Sequence, residues 1–147
     1  PNLGIVRWGE KESFAVADIP GIIEGAHEGK GLGFQFLRHI ERTSFLLHMI
    51  DVSEWAIEKP VKSFESMRQE LAAYDELLTA RPFAVVATKI DVAGDMVRLR
   101  DLKKYCTVHQ YACFSISAAT REGLTELVTY VGQQVAHLRT TPCETNS

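Results

Sequence analysis

The 147-residue sequence predicts an α/β domain with a doubly wound, mostly parallel sheet and one antiparallel hairpin at its edge. Two observations carry this expectation. After an opening pair of strand-like runs, the segments alternate as helix, strand, helix, strand, helix, strand, helix, which implies parallel strands joined by helical crossovers. Three apolar strands also end in polar clusters: Asp18-Ile19-Pro20-Gly21, Thr88-Lys89-Ile90-Asp91 and Ser117-Ala118-Ala119. In a parallel sheet such ends share one edge, where open α/β sheets bind their ligands.

Taken in order, 3–8 and 13–17 are strand-like and are joined by Gly9-Glu10-Lys11-Glu12, a polar connection with the glycine that a short hairpin loop favours. Residues 21–33 hold five glycines and read as a mobile switch loop or as a plain surface connection. Residues 34–43 read as a helix with Phe36, Leu37 and Ile40 on one face. Residues 45–50 form an apolar strand ending at Asp51, with His48 expected as a packed core histidine rather than a ligand. Pro60 opens a helix whose stripe is Val61, Phe64, Met67, Leu71, Tyr74, Leu77 and Leu78. A buried strand at 83–87, a helix at 95–106 and a strand at 112–116 follow. Thr120 is the expected N-cap of a last helix with an apolar stripe from Leu124 to Leu138. One domain, 1–139, and a polar tail, 140–147, are expected.

Composition narrows the function classes. A hydrophobic fraction of 46% and a charged fraction of 24% are those of a soluble globule, and the net charge of −3 comes without a long basic run. No direct nucleic-acid contact is evident from such a balance, because phosphate neutralisation normally dominates that affinity. Cys106, Cys113 and Cys143 are odd in number and lack Cys-x-x-Cys spacing, which points away from a disulfide framework or a zinc site and toward a reducing, cytoplasmic location. No apolar run approaches the length of a bilayer span, so no membrane partner is expected.

The polar clusters carry specific chemistry. A strand-end carboxylate such as Asp18 can hold Mg²⁺, and Gly21 lets backbone N–H groups approach an anion, although Asp-x-x-Gly is also an ordinary turn. Asp91 can accept two hydrogen bonds from the adjacent N–H donors of guanine, a pair that adenine lacks. Lys89 can lay its alkyl stem along the base, while Ser117 and the Ala118 N–H brace Asp91 and meet the guanine oxygen. The stretch Gly25-Ala26-His27-Glu28-Gly29-Lys30-Gly31 is not a Walker A loop: it is one residue short between its glycines and has Gly31 where Ser or Thr must follow the lysine.

These three clusters resemble the phosphate/Mg²⁺, guanine-specificity and guanine-bracing motifs of the TRAFAC-class GTPases. Pro1-Asn2-Leu3-Gly4, the run from Asp18 to Gly33 (DIPGIIEGAHEGKGLG) and that from Phe36 to Arg42 (FLRHIER) resemble the GTPase domain of the Obg (CgtA) family. The resemblance covers Pro1 to about Leu138. It implies a P-loop NTPase-like fold, binding and hydrolysis of GTP with Mg²⁺, GDP as product, and a role of the parent protein in assembly of the large ribosomal subunit. It places Asp18, Ile19, Pro20 and Gly21 at the Mg²⁺ and γ-phosphate, with Asp18 on the metal, and Thr88, Lys89, Ile90 and Asp91 at the base. Ser117, Ala118 and Ala119 fall behind the base, Gly21 to Gly33 at switch II, and Pro1 to Gly4 at the end of switch I.

Departures from the family pattern qualify these expectations. Thr88 stands where the guanine motif usually has asparagine, which implies weaker base binding. Ile22 stands where many small GTPases carry a water-orienting glutamine, so hydrolysis is expected to be slow; Glu24 and His27 are candidates for that task, and no catalytic residue is assigned. No Gly-x-x-x-x-Gly-Lys-Ser/Thr motif occurs. The sequence therefore reads as the C-terminal part of an Obg-type GTPase domain without its first strand, P-loop and first helix, and without the family's N-terminal glycine-rich domain. Alone it is expected to bind GTP poorly. The rival reading is a degenerate, non-catalytic interaction module built on the same fold.

Overall fold

A computed structural model describes residues 3–17 and 43–140. The predicted switch loop and the helix at 34–43, apart from its last residue, lie outside these residues, as do 141–147 and Asp18 to Gly21. Strands β1 (Leu3–Trp8) and β2 (Glu12–Ala17) pair antiparallel, with Leu3 opposite Ala17 and Trp8 opposite Glu12. Gly9, at φ +65°, turns the chain directly after β1.

Strands β3 (Leu46–Asp51), β4 (Phe83–Thr88) and β5 (Cys113–Ser115) form a parallel sheet in the order β3-β4-β5. Among the described residues the α-helices are α1 (Pro60–Tyr74), α2 (Glu76–Thr79), α3 (Val97–His109) and α4 (Leu124–Thr140). The middle strand β4 is apolar because both of its faces are covered: Ala84, Val85, Val86 and Ala87 are 0% exposed. Alternation along the strand sends them to two cores. Val85 and Ala87 join Ile50, Phe64, Leu99 and Leu102 on the α1 and α3 side. Val86 joins Ile116, Leu127 and Val131 of the α4 side, together with Phe14 from the hairpin.

The α/β class, the parallel strands and the antiparallel hairpin match the sequence expectation. The hairpin is a separate two-stranded sheet, with no ladder to β3, β4 or β5 among the described residues. Side chains hold it instead. Trp8 and Phe14 pack with the α4 cluster, and Arg139 donates to the Ser13 carbonyl at 3.4 Å.

Three local boundaries differ. The helix opened by Pro60 breaks at Asp75, whose extended backbone (φ −160°, ψ 114°) and carboxylate, accepting from Leu77 N at 3.0 Å, restart it as α2. The break buries Leu78 and leaves Leu77, expected in the stripe, 74% exposed. Helix α3 starts at Val97, not Asp95, because Asp95 accepts from Val97 N at 3.1 Å and Met96 is left-handed at φ 66°. Thr120 is not an N-cap. Its hydroxyl accepts from Glu122 N at 3.3 Å inside a turn that ends at Gly123, and α4 begins at Leu124. Strand β5 is shorter than the 112–116 expected.

Cys106, Cys113 and His48 are packing groups. Cys106 and Cys113 are free thiols, and burial, followed by the neighbouring Cys113, pushes Cys106 up to about 12. His48 is 4% exposed and meets Phe64 and Phe83 edge-on at 5.4 and 5.1 Å between ring centres. Burial, and secondly the Arg68 guanidinium, lowers its pKa to about 4. The ring is therefore neutral in the fold at neutral pH.

That shift has a defined sign. Between pH 6.5 and about 4 the unfolded chain binds a proton that the folded chain refuses, so stability is intact above pH 6.5 and falls as the pH drops toward 4. At about 1.4 kcal/mol per unit, the window is worth roughly 3 kcal/mol. Urea unfolding at pH 7 and pH 4.5 is expected to show that loss in the parent and a smaller one in His48→Leu. A second expectation concerns Gly132 of α4. Alanine normally favours a helix interior by about 0.5–1 kcal/mol over glycine, but a Cβ here would overlap the Trp8 indole. Gly132→Ala is therefore expected to destabilise by about 1–3 kcal/mol, read as a lower urea midpoint.

Candidate functional site

Backbone hydrogen bonds continue past the carboxyl ends of the strands and draw three loops to one edge. Val52 N donates to Thr88 O at 3.2 Å, Ile116 N to Ala87 O at 2.8 Å, and Ile90 N to Ile116 O at 3.3 Å. Glu54 N reaches Val92 O at 3.1 Å and ties the loop after β3 to that after β4. Lys89 takes the left-handed conformation (φ 62°, ψ 38°), and the chain then enters a 3₁₀ turn, Ile90–Val92. A left-handed lysine is uncommon, and such backbone settings concentrate where surrounding structure imposes them. Here the imposing contacts are Thr88 O on one side and buried Ile90 on the other.

The turn presents Asp91 to solvent. Its Oδ1 accepts from Ser117 Oγ at 2.8 Å, across 26 residues of sequence. Ser117 is 0% exposed, and its oxygen also accepts from Thr120 N at 3.1 Å. Ser117 N donates to Glu122 O at 3.0 Å. The loop 117–123 closes so tightly that a Cβ at Gly123, which sits at φ +77°, would overlap the Ser115 carbonyl. A buried hydroxyl in a rigid loop thus fixes one oxygen of an exposed carboxylate. No second hydrogen bond to Asp91 occurs among the described residues. Ala118 and Ala119 lie exposed beside it.

Thr88 turns away from this surface, with Oγ1 donating to Ile50 O at 3.3 Å. Lys89 extends to a residue that was not singled out in the sequence. Its Nζ is 2.9 Å from Asp51 Oδ2, at the end of β3. Asp51 Oδ1 accepts from Ser53 N at 2.8 Å. Burial alone would raise the Asp51 pKa, but the hydrogen bonds from Lys89 and Ser53, with the lysine's charge, hold it below the usual carboxylate value. The available signal was Asp-x-Ser after an apolar strand, which has the form of a self-bonding turn.

Of the predicted positions, the structure brings together Thr88, Lys89, Ile90, Asp91, Ser117, Ala118 and Ala119 at one sheet edge, while Asp18 to Gly21 lie outside the described residues. The edge offers a braced carboxylate acceptor beside a lysine stem and exposed backbone. A carboxylate has about four lone-pair sites, so Ser117 leaves Asp91 able to accept a pair of N–H donors. The residues present fit a guanine base. Among the described residues, no group of three His, Cys, Asp or Glu side chains could hold a metal ion, and no helix is long and apolar enough to cross a membrane.

Comparison with known proteins bears on the same segment. The sequence model of the family described as 50S ribosome-binding GTPase matches residues 1–89. The chain is 52% identical over 135 residues to GTPase Obg of Thermodesulfovibrio yellowstonii, an alignment covering 92% of this chain and 40% of that protein. It is 54% identical over 127 residues to GTPase Obg of Solibacter usitatus, covering 86% and 38%. With GTPase Obg of Alkaliphilus metalliredigens it shares 46% over 144 residues, covering 98% and 34%. The chain spans well under half the length of these curated relatives. With a family match over residues 1–89 and relatives of one name at 46–54% identity, the chain belongs to the Obg GTPases of the 50S ribosome-binding GTPase family.

Proposed function

We propose that this chain supplies the guanine-recognition and switch II half of a GTP-binding domain, in a cytoplasmic protein that hydrolyses GTP and serves assembly of the large ribosomal subunit. The observation that supports it most is the 2.8 Å hydrogen bond from buried Ser117 to exposed Asp91. It orients a carboxylate toward a ligand at little entropic cost on binding.

Each residue then has a task. Asp91 accepts the ring N–H and exocyclic amine of guanine, and the Ala118 N–H meets the base oxygen. The Lys89 stem covers one face of the base. Ile90 anchors the motif in the core, and Ala119 leaves the loop free of a bulky side chain near the ligand. Thr88 spends its hydroxyl on Ile50 O and leaves the base affinity lower than an asparagine would.

On the phosphate side, Asp18, Ile19 and Pro20 precede Gly21 in sequence, and the Gly21 N–H would meet the γ-phosphate. Asp18 would hold Mg²⁺, which when bound neutralises charge on the phosphate oxygens. Ile22 cannot orient a water molecule, so hydrolysis by the protein is slow without a partner group.

The first strand and P-loop of the resembled fold would lie between β2 and β3. In support, Leu46 N and Val52 N point toward β4, so by alternation the N–H groups of Leu47, Met49 and Asp51 face the other edge of β3. Those groups could pair with an added strand.

Asp91→Asn tests the assignment. Replacing one acceptor by an amide donor is expected to weaken GDP binding by about a hundredfold or more and to favour xanthosine diphosphate, whose base has a carbonyl where guanine has an amine. Competition titrations of both nucleotides against parent and variant check this. An unchanged preference would remove Asp91 from the base site and favour the interaction-module reading.

A further inference from the structure

We propose that Asp51 is a positioning residue of the base site, which holds Lys89 ready along the guanine plane. The inference rests on the reading of Lys89 as part of a guanine pocket. A lysine side chain is long and flexible, and a ligand that must order it loses affinity. Two features order Lys89 without a ligand: its left-handed backbone and its 2.9 Å ion pair with Asp51.

Asp51 is itself fixed. Ser53 N holds its other oxygen at 2.8 Å, and Ser53 is buried. Arg98, from the first turn of α3, donates to the carbonyls of both Ser53 and Ala56. The loop after β3 is thus clamped by α3 and by the Glu54–Val92 bond, and it delivers a carboxylate whose two oxygens are both engaged. The side chains of Lys89 and Asp51 are 61% and 38% exposed. A pair this exposed contributes little to fold stability, so the effect of Asp51 falls on readiness for ligand. That separates this role from a structural one. It also differs from a latch, in which Asp51 would withhold Lys89 from the nucleotide.

A double-mutant cycle in the full-length protein tests it, with GDP affinity measured by fluorescence titration for the parent, Asp51→Ala, Lys89→Met and the double variant. Asp51→Ala is expected to weaken GDP roughly two- to fivefold, chiefly through faster dissociation, with an unchanged thermal midpoint. In the Lys89→Met background the same change is expected to have no further effect. Asp51→Asn keeps an acceptor for Ser53 N but removes the charge, and should also weaken binding if the ion pair matters. Equal losses in both backgrounds, tighter binding by Asp51→Ala, or no change with either variant would each overturn the proposal. If the parent binds GDP with a preference sensitive to Asp91→Asn while Asp51 variants bind normally, only this inference fails. A parent without guanine selectivity removes the pocket and the inference together.

Discussion

Burial of β4 on both faces is the constraint on which the rest of the structure depends. A dry central strand must pair on both sides and accept helices above and below, and its register with β3 and β5 fixes where each neighbour ends. Because Val86 and the Val85/Ala87 pair point to opposite cores, a one-residue slip would exchange the two faces. The last ladder bonds, Val52 to Thr88 and Ile116 to Ala87, carry that register into the loops. Thr88 to Asp91 and Ser117 are consequently placed by core packing before any ligand arrives.

The two acids of this edge are held differently. Asp91 is exposed but takes its hydrogen bond from a fully buried serine, so its geometry follows the interior. Asp51 is half-buried and takes one bond from a backbone N–H and one from a solvent-facing lysine. The first arrangement suits recognition, where a fixed acceptor discriminates between bases. The second suits alignment of a flexible side chain.

Much of this was legible in the sequence because the signals are local. An uninterrupted apolar run such as Phe83 to Ala87 has few meanings, and a polar cluster directly after it falls on the binding edge of a parallel sheet. Helix breaks were less legible. Asp75 and Asp95 bond N–H groups two residues ahead, and such bonds compete with helical periodicity only when the backbone is free to turn. Asp51 looked like any of these aspartates, since nothing nearby in the chain announces Lys89, 38 residues on. The seating of the hairpin was invisible for the same reason: Trp8 packs against Gly132, a close approach between residues far apart in sequence.

The central claim is that this sheet edge recognises guanine. Its most direct test is binding of a fluorescent GDP in Mg²⁺ to the full-length protein, displaced in turn by GDP, GTP, ADP and ATP. The account predicts displacement by both guanine nucleotides and none by the adenine nucleotides at the same concentrations. Equal displacement by ADP and GDP, or no binding by a protein that unfolds cooperatively, would contradict it.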